Sequence, residues 1–240
     1  MKSIRLITYL VFAISIAGIS AQAQSTDAGK NYPDPSTRFV KPIEKFEAAD
    51  AKKMPPEGAI VCIGSSSMRG WHGSIQKDLD PLTIIPRGFG GSNMNDALYY
   101  ADRIVIPYKP RAVVVYEGDN DVAQKVSPEK IADTTRAFVD KIHAELPDCR
   151  IYFLSVKPSI RRWDMWPDMV KTNELIEAIC AEDDRLTYID VATVMLDEEG
   201  MPKKHIFKKD DLHMTRDGYA LWRDQVRPVL IEKELEFEQQ

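Results

Sequence analysis

From residue 59 onward the chain alternates two kinds of hydrophobic pattern. Short β-branched runs without polar alternation occur at 59–63, 82–85, 112–116, 150–154 and 186–189. Runs of this length that do not alternate predict strands buried on both faces, as in a parallel sheet. Between the later runs the period changes to 3.6 residues. Ser127-Pro128 sets a capping hydroxyl before a proline at the first helical position, and Ile131, Thr135, Phe138, Val139, Ile142 and Leu146 then share one face. Leu175, Ile176, Ile179 and Cys180 repeat the pattern on the next helix. Thr215 is placed to cap a last helix that turns Tyr219, Trp222 and Val226 inward, with Pro228 expected to kink it or end it early. This order of strands and helices predicts a single doubly wound α/β domain, and no internal repeat is visible.

The N-terminus follows neither pattern. Met1-Lys2-Ser3-Ile4-Arg5 is a positive start, residues 6–19 are apolar but too few to span a bilayer comfortably, and Ala21-Gln22-Ala23 has the small-x-small form of a signal-peptidase site. The expectation is a secretory signal over residues 1–23 and a secreted or periplasmic mature protein with no stable membrane anchor. A retained N-terminal anchor is the competing reading, and no cysteine follows to carry a lipid. Residues 24–55 are expected to form a lead-in, polar and solvated through Pro42, then a short helix through Ile43, Phe46 and Glu47. The globular domain itself is expected over 56–240.

Composition narrows the partners. At 44% hydrophobic and 29% charged positions over 240 residues, disordered and collagen-like chains are excluded. Lys+Arg 32 against Asp+Glu 37 gives −5, or −7 once Lys2 and Arg5 leave with a signal, and the positives are scattered. No footprint for nucleic acid or anionic membrane is present, and an acidic substrate would need a local basic pocket. Cys62, Cys149 and Cys180 are too few and too far apart for a zinc ribbon or a disulfide framework. In an oxidising compartment Cys149 and Cys180 could pair, although the sequence does not bring them together.

In doubly wound sheets ligands bind at the carboxyl ends of the strands, so the segments after each run carry the chemistry. Gly64-Ser65-Ser66-Ser67 follows the first run and reads either as a helix-capping serine run or as a sharp turn exposing a nucleophilic hydroxyl. Arg87-Gly88-Phe89-Gly90-Gly91-Ser92 follows the second and reads as a connecting turn or as a backbone N–H aimed at an oxyanion; P-loop and Rossmann spacings are absent. Glu117-Gly118-Asp119-Asn120-Asp121 follows the third, an Asx-turn or an amide donor to the same oxyanion. Near the end, Asp210-Asp211-Leu212-His213 is a surface turn or a carboxylate orienting a general base; as a metal site it lacks a second histidine or a cysteine nearby.

In that order the four signals resemble the SGNH hydrolase superfamily, the GDSL esterases and lipases. That family has Gly-Asp-Ser, a glycine, Gly-x-Asn-Asp and Asp-x-x-His; this chain has Gly64-Ser65-Ser66, Gly90-Gly91-Ser92, Gly118-Asp119-Asn120-Asp121 and Asp210-Asp211-Leu212-His213. The resemblance implies a three-layer α/β/α sandwich around a central parallel five-stranded, flavodoxin-like sheet. It implies a triad of Ser66, His213 and Asp210, an oxyanion hole from the N–H groups of Ser66 and Gly91 with the Asn120 amide, and neither cofactor nor metal. Ser65 and Ser92 stand where the family has aspartate, and the consecutive hydroxyls leave Ser67 as an alternative nucleophile by register.

The substrate is read from residues 155–166, expected to overhang the same sheet edge. Trp163 and Trp166 could stack on sugar rings while Arg161 or Arg162 meets hydroxyls or a carboxylate; the alternative is that the tryptophans pack the loop onto the scaffold. His143 reads as structural, and His72 and His205 as loop residues near the cleft. A secreted chain without a long apolar lid points to short acyl groups, acetyl foremost, on a small-molecule or glycan ester. Lysophospholipid or thioester hydrolysis, a non-catalytic glycan-binding module and a flavodoxin-like cofactor binder are the other readings.

Overall fold

Five parallel strands separate two apolar cores, and alternation along each strand decides which side chain enters which. The computed structural model describes residues 32–238; the expected signal at 1–23 and the start of the lead-in lie outside them. In chain order the elements are α1 (Val40–Asp50), β1 (Ile60–Gly64), α2 (Ser66–Trp71), α3 (Ile75–Asp78), β2 (Ile84–Gly88), α4 (Met94–Ile104), β3 (Ala112–Tyr116), α5 (Asp119–Ala123), α6 (Pro128–Glu145), β4 (Arg150–Leu154), α7 (Trp166–Cys180), β5 (Leu186–Ile189) and α8 (Arg216–Glu234). The strand order is β2-β1-β3-β4-β5, every pair parallel. Val61, Ile63, Val113, Val115, Ile151 and Phe153 enter one core with α1, α4, α6 and α7. Ile60, Cys62, Val114, Tyr116, Tyr152 and Leu154 enter the other, against Trp71 of α2, Ile75 of α3 and Trp222 of α8. The three-layer α/β/α sandwich with a five-stranded flavodoxin-like sheet is thus the observed architecture.

Three strands coincide with their predicted runs, at 112–116, 150–154 and 186–189. β1 is displaced by one residue. β2 is displaced by more: it runs on through Pro86, Arg87 and Gly88, which the hydrophobic pattern omits. As the edge strand it tolerates a proline, because one side of it has no ladder to complete.

The lead-in is corrected more substantially. Residues through Pro42 were expected in solvent, but α1 begins at Val40 with Pro42 in its first turn, where proline costs no helical hydrogen bond. Phe39 and Ile43 are buried, and Phe39 meets the edge of Phe89 with ring centroids 5.2 Å apart. Pro228 does not end α8 either, which continues to Glu234. The proline is exposed, so water can reach the carbonyl it leaves unbonded, while buried Val226 and Leu230 hold the helix down on both sides. Thr215 precedes the helix without a side-chain cap; its hydroxyl meets the His205 carbonyl. All three cysteines are buried free thiols, so Cys149 and Cys180 are not paired.

The end of the sheet remote from the strands' carboxyl ends is pinned by Glu234, which has no exposed surface. Its carboxylate accepts two bonds from Arg150 at 2.5 and 2.7 Å, one from Arg111 at 3.2 Å and one from the Tyr152 hydroxyl at 2.5 Å, tying α8 to β3 and β4. Glu234→Ala leaves Arg150 and the Tyr152 hydroxyl without their carboxylate and Arg111 with Glu238 and the Gly58 carbonyl. It is expected to lower stability by about 3 kcal/mol in urea unfolding, and a loss under about 1 kcal/mol would show that this cluster does not hold the helix.

Candidate active site

The segments singled out after β1, β2 and β3 and before α8 converge at one sheet edge, beside the switch point between β1 and β3, where successive connections leave on opposite sides. Gly64 ends β1 with φ +152°, and a Cβ there would stand 2.3 Å from the Tyr116 carbonyl oxygen. Only glycine lets the two backbones approach this closely. The Ser65 N–H donates to that carbonyl at 3.1 Å, and α2 starts one residue later. Ser65 and Ser67 are buried, Ser66 is half-buried, and Ser66 alone of the three meets the histidine: its Oγ lies 3.0 Å from His213 Nε2.

Asp210 organises the other side. Its Oδ2 is 2.7 Å from His213 Nδ1, while Oδ1 accepts the backbone N–H groups of His213 at 2.9 Å and Leu212 at 3.1 Å. The imidazole contact and then these amides hold the carboxyl well below the usual carboxylate range. An ionised Asp210 fixes the ring proton on Nδ1, which leaves the Nε2 lone pair facing Ser66. That is the arrangement by which an imidazole takes a proton from a hydroxyl attacking a carbonyl.

Donors for the resulting oxyanion stand opposite. The Ser66 N–H, at the first helical position, and the Gly91 N–H donate to no protein acceptor among the described residues. Gly91 has φ +94°, in the region that favours glycine. Asn120 spends one amide proton on the Ser92 carbonyl at 2.8 Å, and its Oδ1 accepts from Arg162 at 2.9 Å. These two contacts fix which way the amide points and leave its second N–H unspent.

The segment after β4 therefore does other work than the sequence suggests. Arg162 was expected to meet substrate, but its guanidinium is spent on Asn120 Oδ1, the Asp119 carbonyl at 2.9 Å and the Asp119 carboxylate at 3.3 Å. The backbone of Arg161 donates to the Asp211 carbonyl at 3.0 Å, inside the Asp210–His213 turn, while its side chain is exposed. Trp163 and Trp166 are half-buried and stack on each other at 5.9 Å and 14°, and Trp166 packs beside a small apolar cluster containing Val156 and Met169. Lys157, which no sequence motif marks, is 1% exposed; its ammonium donates to the Leu212 carbonyl at 3.0 Å and lies 3.9 Å from Asp119. Burial pulls this amine down to about 8. One segment thus clamps both the asparagine turn and the histidine turn. Of the other histidines, His143 meets the Cys149 carbonyl at 2.9 Å and His72 accepts the Gly88 N–H at 2.8 Å, both bonds within the scaffold.

Behind the oxyanion turn lies a group of buried acids. Ser92 donates to Glu117 Oε1 at 2.5 Å, so this departure from the family's aspartate has a partner of its own. Asp121 accepts the N–H groups of Met94 and Gly118 and the Tyr32 hydroxyl at 2.8 to 3.0 Å, and Asp96 completes a capping box with Asn93 at the start of α4. Burial raises Asp96 and Asp121 to about 6, and burial followed by repulsion from Asp121 raises Glu117 well above its ordinary value. Among the described residues no group of three or more His, Cys, Asp or Glu is arranged to hold a metal ion.

Residues 58–221 match the model of the GDSL-like lipase/acylhydrolase family. No curated protein matches the chain significantly. Among solved structures, a GDSL-like lipase from Bacteroides thetaiotaomicron is similar at a TM-score of 0.68 and 20% identity, covering 81% of this chain and 99% of its own. A catalytic mutant of an acetylxylan esterase from Geobacillus stearothermophilus is similar at a TM-score of 0.59 and 15% identity, covering 78% and 99%. At these identities the likeness is one of fold.

The buried acids give a pH signature. Because the folded state raises Glu117, its contribution favours folding at low pH and is lost as pH rises through its folded pKa. Glu117→Gln, which mimics the protonated acid, is expected to fold, to keep its Tm at pH 6 within a few degrees, and to flatten the decline of Tm between pH 6 and 9. A variant that unfolds at neutral pH would mean that the ionised carboxylate is required.

Proposed function

The chain belongs to the GDSL-like lipase/acylhydrolase family, and from that premise we propose that this carboxylic ester hydrolase is a secreted serine esterase that removes short acyl groups, acetyl foremost, from carbohydrate esters. The observation that carries the reading is His213 standing between Ser66 and Asp210, at 3.0 and 2.7 Å. Ser66 Oγ attacks the ester carbonyl as His213 Nε2 takes its proton. The oxyanion gathers N–H bonds from Ser66, Gly91 and Asn120, and its collapse expels the alcohol, which leaves with the proton from His213. Water then attacks the acyl-enzyme by the same path and releases the acid. Asp210 keeps the ring oriented and stabilises the imidazolium formed in each half.

Short acyl groups are supported by the openness of the site. Asp210 is exposed and Ser66 and His213 are half-exposed, so among the described residues no apolar tunnel encloses the nucleophile for a long chain to fill. The segment after β4 is occupied in holding Asn120 and the histidine turn. The acetylxylan esterase among the structural neighbours favours a carbohydrate alcohol, and the residues at 1–23 favour export.

Ser66→Ala is expected to reduce p-nitrophenyl acetate hydrolysis to background, with acetate turned over faster than butyrate and octanoate by the unaltered chain. Preference for octanoate would move the substrate to lipid or thioester. Asn120→Ala is expected to lower kcat by about a hundredfold with little change in KM. Arg162→Ala, which frees the Asn120 amide to turn, is expected to lower kcat roughly tenfold, again without a matching rise in KM. A change confined to KM in either variant would contradict these roles.

A further inference from the structure

A cavity of about 520 Å³ lies between α1, α2 and the turn after β2. Lys41 and Lys45 reach it from α1, one helical turn apart, Arg69 and His72 wall it from α2 and its C-terminus, and Gly90 belongs to its rim. Among the described residues no carboxylate lines it. Of the three acids of α1, Glu47 pairs with Arg103 and Asp50 with Arg87, at 2.7 and 2.6 Å, while Glu44 is exposed, lies outside the cavity lining and acts on Arg103. Lys41, Lys45 and Arg69 form no ion pair among the described residues, in a chain whose formal charge is −5. Three unpaired cations gathered at one cavity of an acidic protein form a local positive field that selects anions.

Its position links the cavity to the chemistry. Arg69 stands three residues after Ser66 on α2, and its guanidinium lies against Gly90, where a Cβ would be 2.6 Å from Cζ. The residue after Gly90 is Gly91, an oxyanion donor in the reading above. The cavity therefore adjoins the oxyanion turn, on the α1 side. Phe46 supplies a half-buried aromatic face on the same wall, of the kind on which a sugar ring packs.

We propose that this cavity is a subsite for an anionic group carried by the ester substrate, a carboxylate or phosphate attached to the unit next to the acylated position. The proposal rests on the esterase reading and narrows it from carbohydrate esters in general to acidic ones. Lys41, Lys45 and Arg69 hold the anion by charge, and the guanidinium supplies a planar pair of N–H groups suited to carboxylate or phosphate. Its effect falls on substrate binding.

The test compares acetate release from three substrates: acetylated xylo-oligosaccharides without uronic acid, acetylated oligogalacturonides, and an acetylated sugar phosphate. p-Nitrophenyl acetate is run beside them as a neutral reference. The unaltered chain is expected to favour at least one anionic substrate over the neutral oligosaccharide by about tenfold or more in kcat/KM, chiefly through KM. That preference should shrink in 0.5 M sodium chloride, as screened charge requires. The exposed-surface double variant Lys41→Ala, Lys45→Ala and, separately, Arg69→Gln are each expected to erase most of it. Preference for the galacturonide assigns a carboxylate, and preference for the sugar phosphate assigns a phosphate. Equal kcat/KM for neutral and anionic substrates, or a preference that survives both variants, would overturn the subsite while p-nitrophenyl acetate turnover kept the esterase reading intact. No turnover of any of the four would overturn both.

Discussion

The site depends on one close contact between neighbouring strands. Where β1 and β3 end side by side, the Gly64 backbone lies against the Tyr116 carbonyl, and the Ser65 N–H bonds to it. A side chain at position 64 would force the strands apart, and the two turns that leave them carry Ser66 and Asn120. The parallel sheet supplies the rest of the geometry: two adjacent carboxyl ends whose connections diverge and leave a crevice between them. The family's hydrolytic chemistry is thus set by backbone packing before any catalytic side chain is considered.

Holding such an open site together falls to polar clamps. Arg162 and Lys157 come from one segment after β4, yet one fixes the Asn120 amide and the other the Leu212 carbonyl beside His213. Asp119 lies near both cations. Buried charge of this kind adds little net stability, but it specifies orientation, because any other arrangement leaves a cation without a partner. Tyr32, Arg38 and Phe39 secure the oxyanion turn from the opposite side, through Asp121, through Asp96 and the Gly91 carbonyl, and through Phe89. The segment before α1 is therefore part of the site's support.

What was legible in the sequence follows from this division of labour. The buried strands at 112–116, 150–154 and 186–189 must be apolar on both faces, so composition alone marks them. Ser66, Asn120, Asp210 and His213 were singled out by the resemblance of four short motifs in order, since each motif alone reads equally well as a cap or a turn; the structure brings His213 within hydrogen-bond distance of both Ser66 and Asp210. β2 was partly hidden because an edge strand can hold Pro86 and Arg87, and the start of α1 because its anchor Phe39 sits among polar residues, whereas Ile43 and Phe46 marked the helix itself. Arg162 reads as a candidate substrate contact until the fold brings it 42 residues back to Asn120. The cationic cavity was invisible for the same reason: only the fold shows which positive side chains have found acids and which have not.

The central claim is that Ser66, activated by His213, is the nucleophile. Incubation with a fluorophosphonate, which bonds phosphorus to an activated serine oxygen and expels fluoride, followed by peptide mass spectrometry, tests it most directly. One label per chain is expected, on Ser66, and none in His213→Gln. A label on Ser65 or Ser67, or labelling that persists without the histidine, would contradict it.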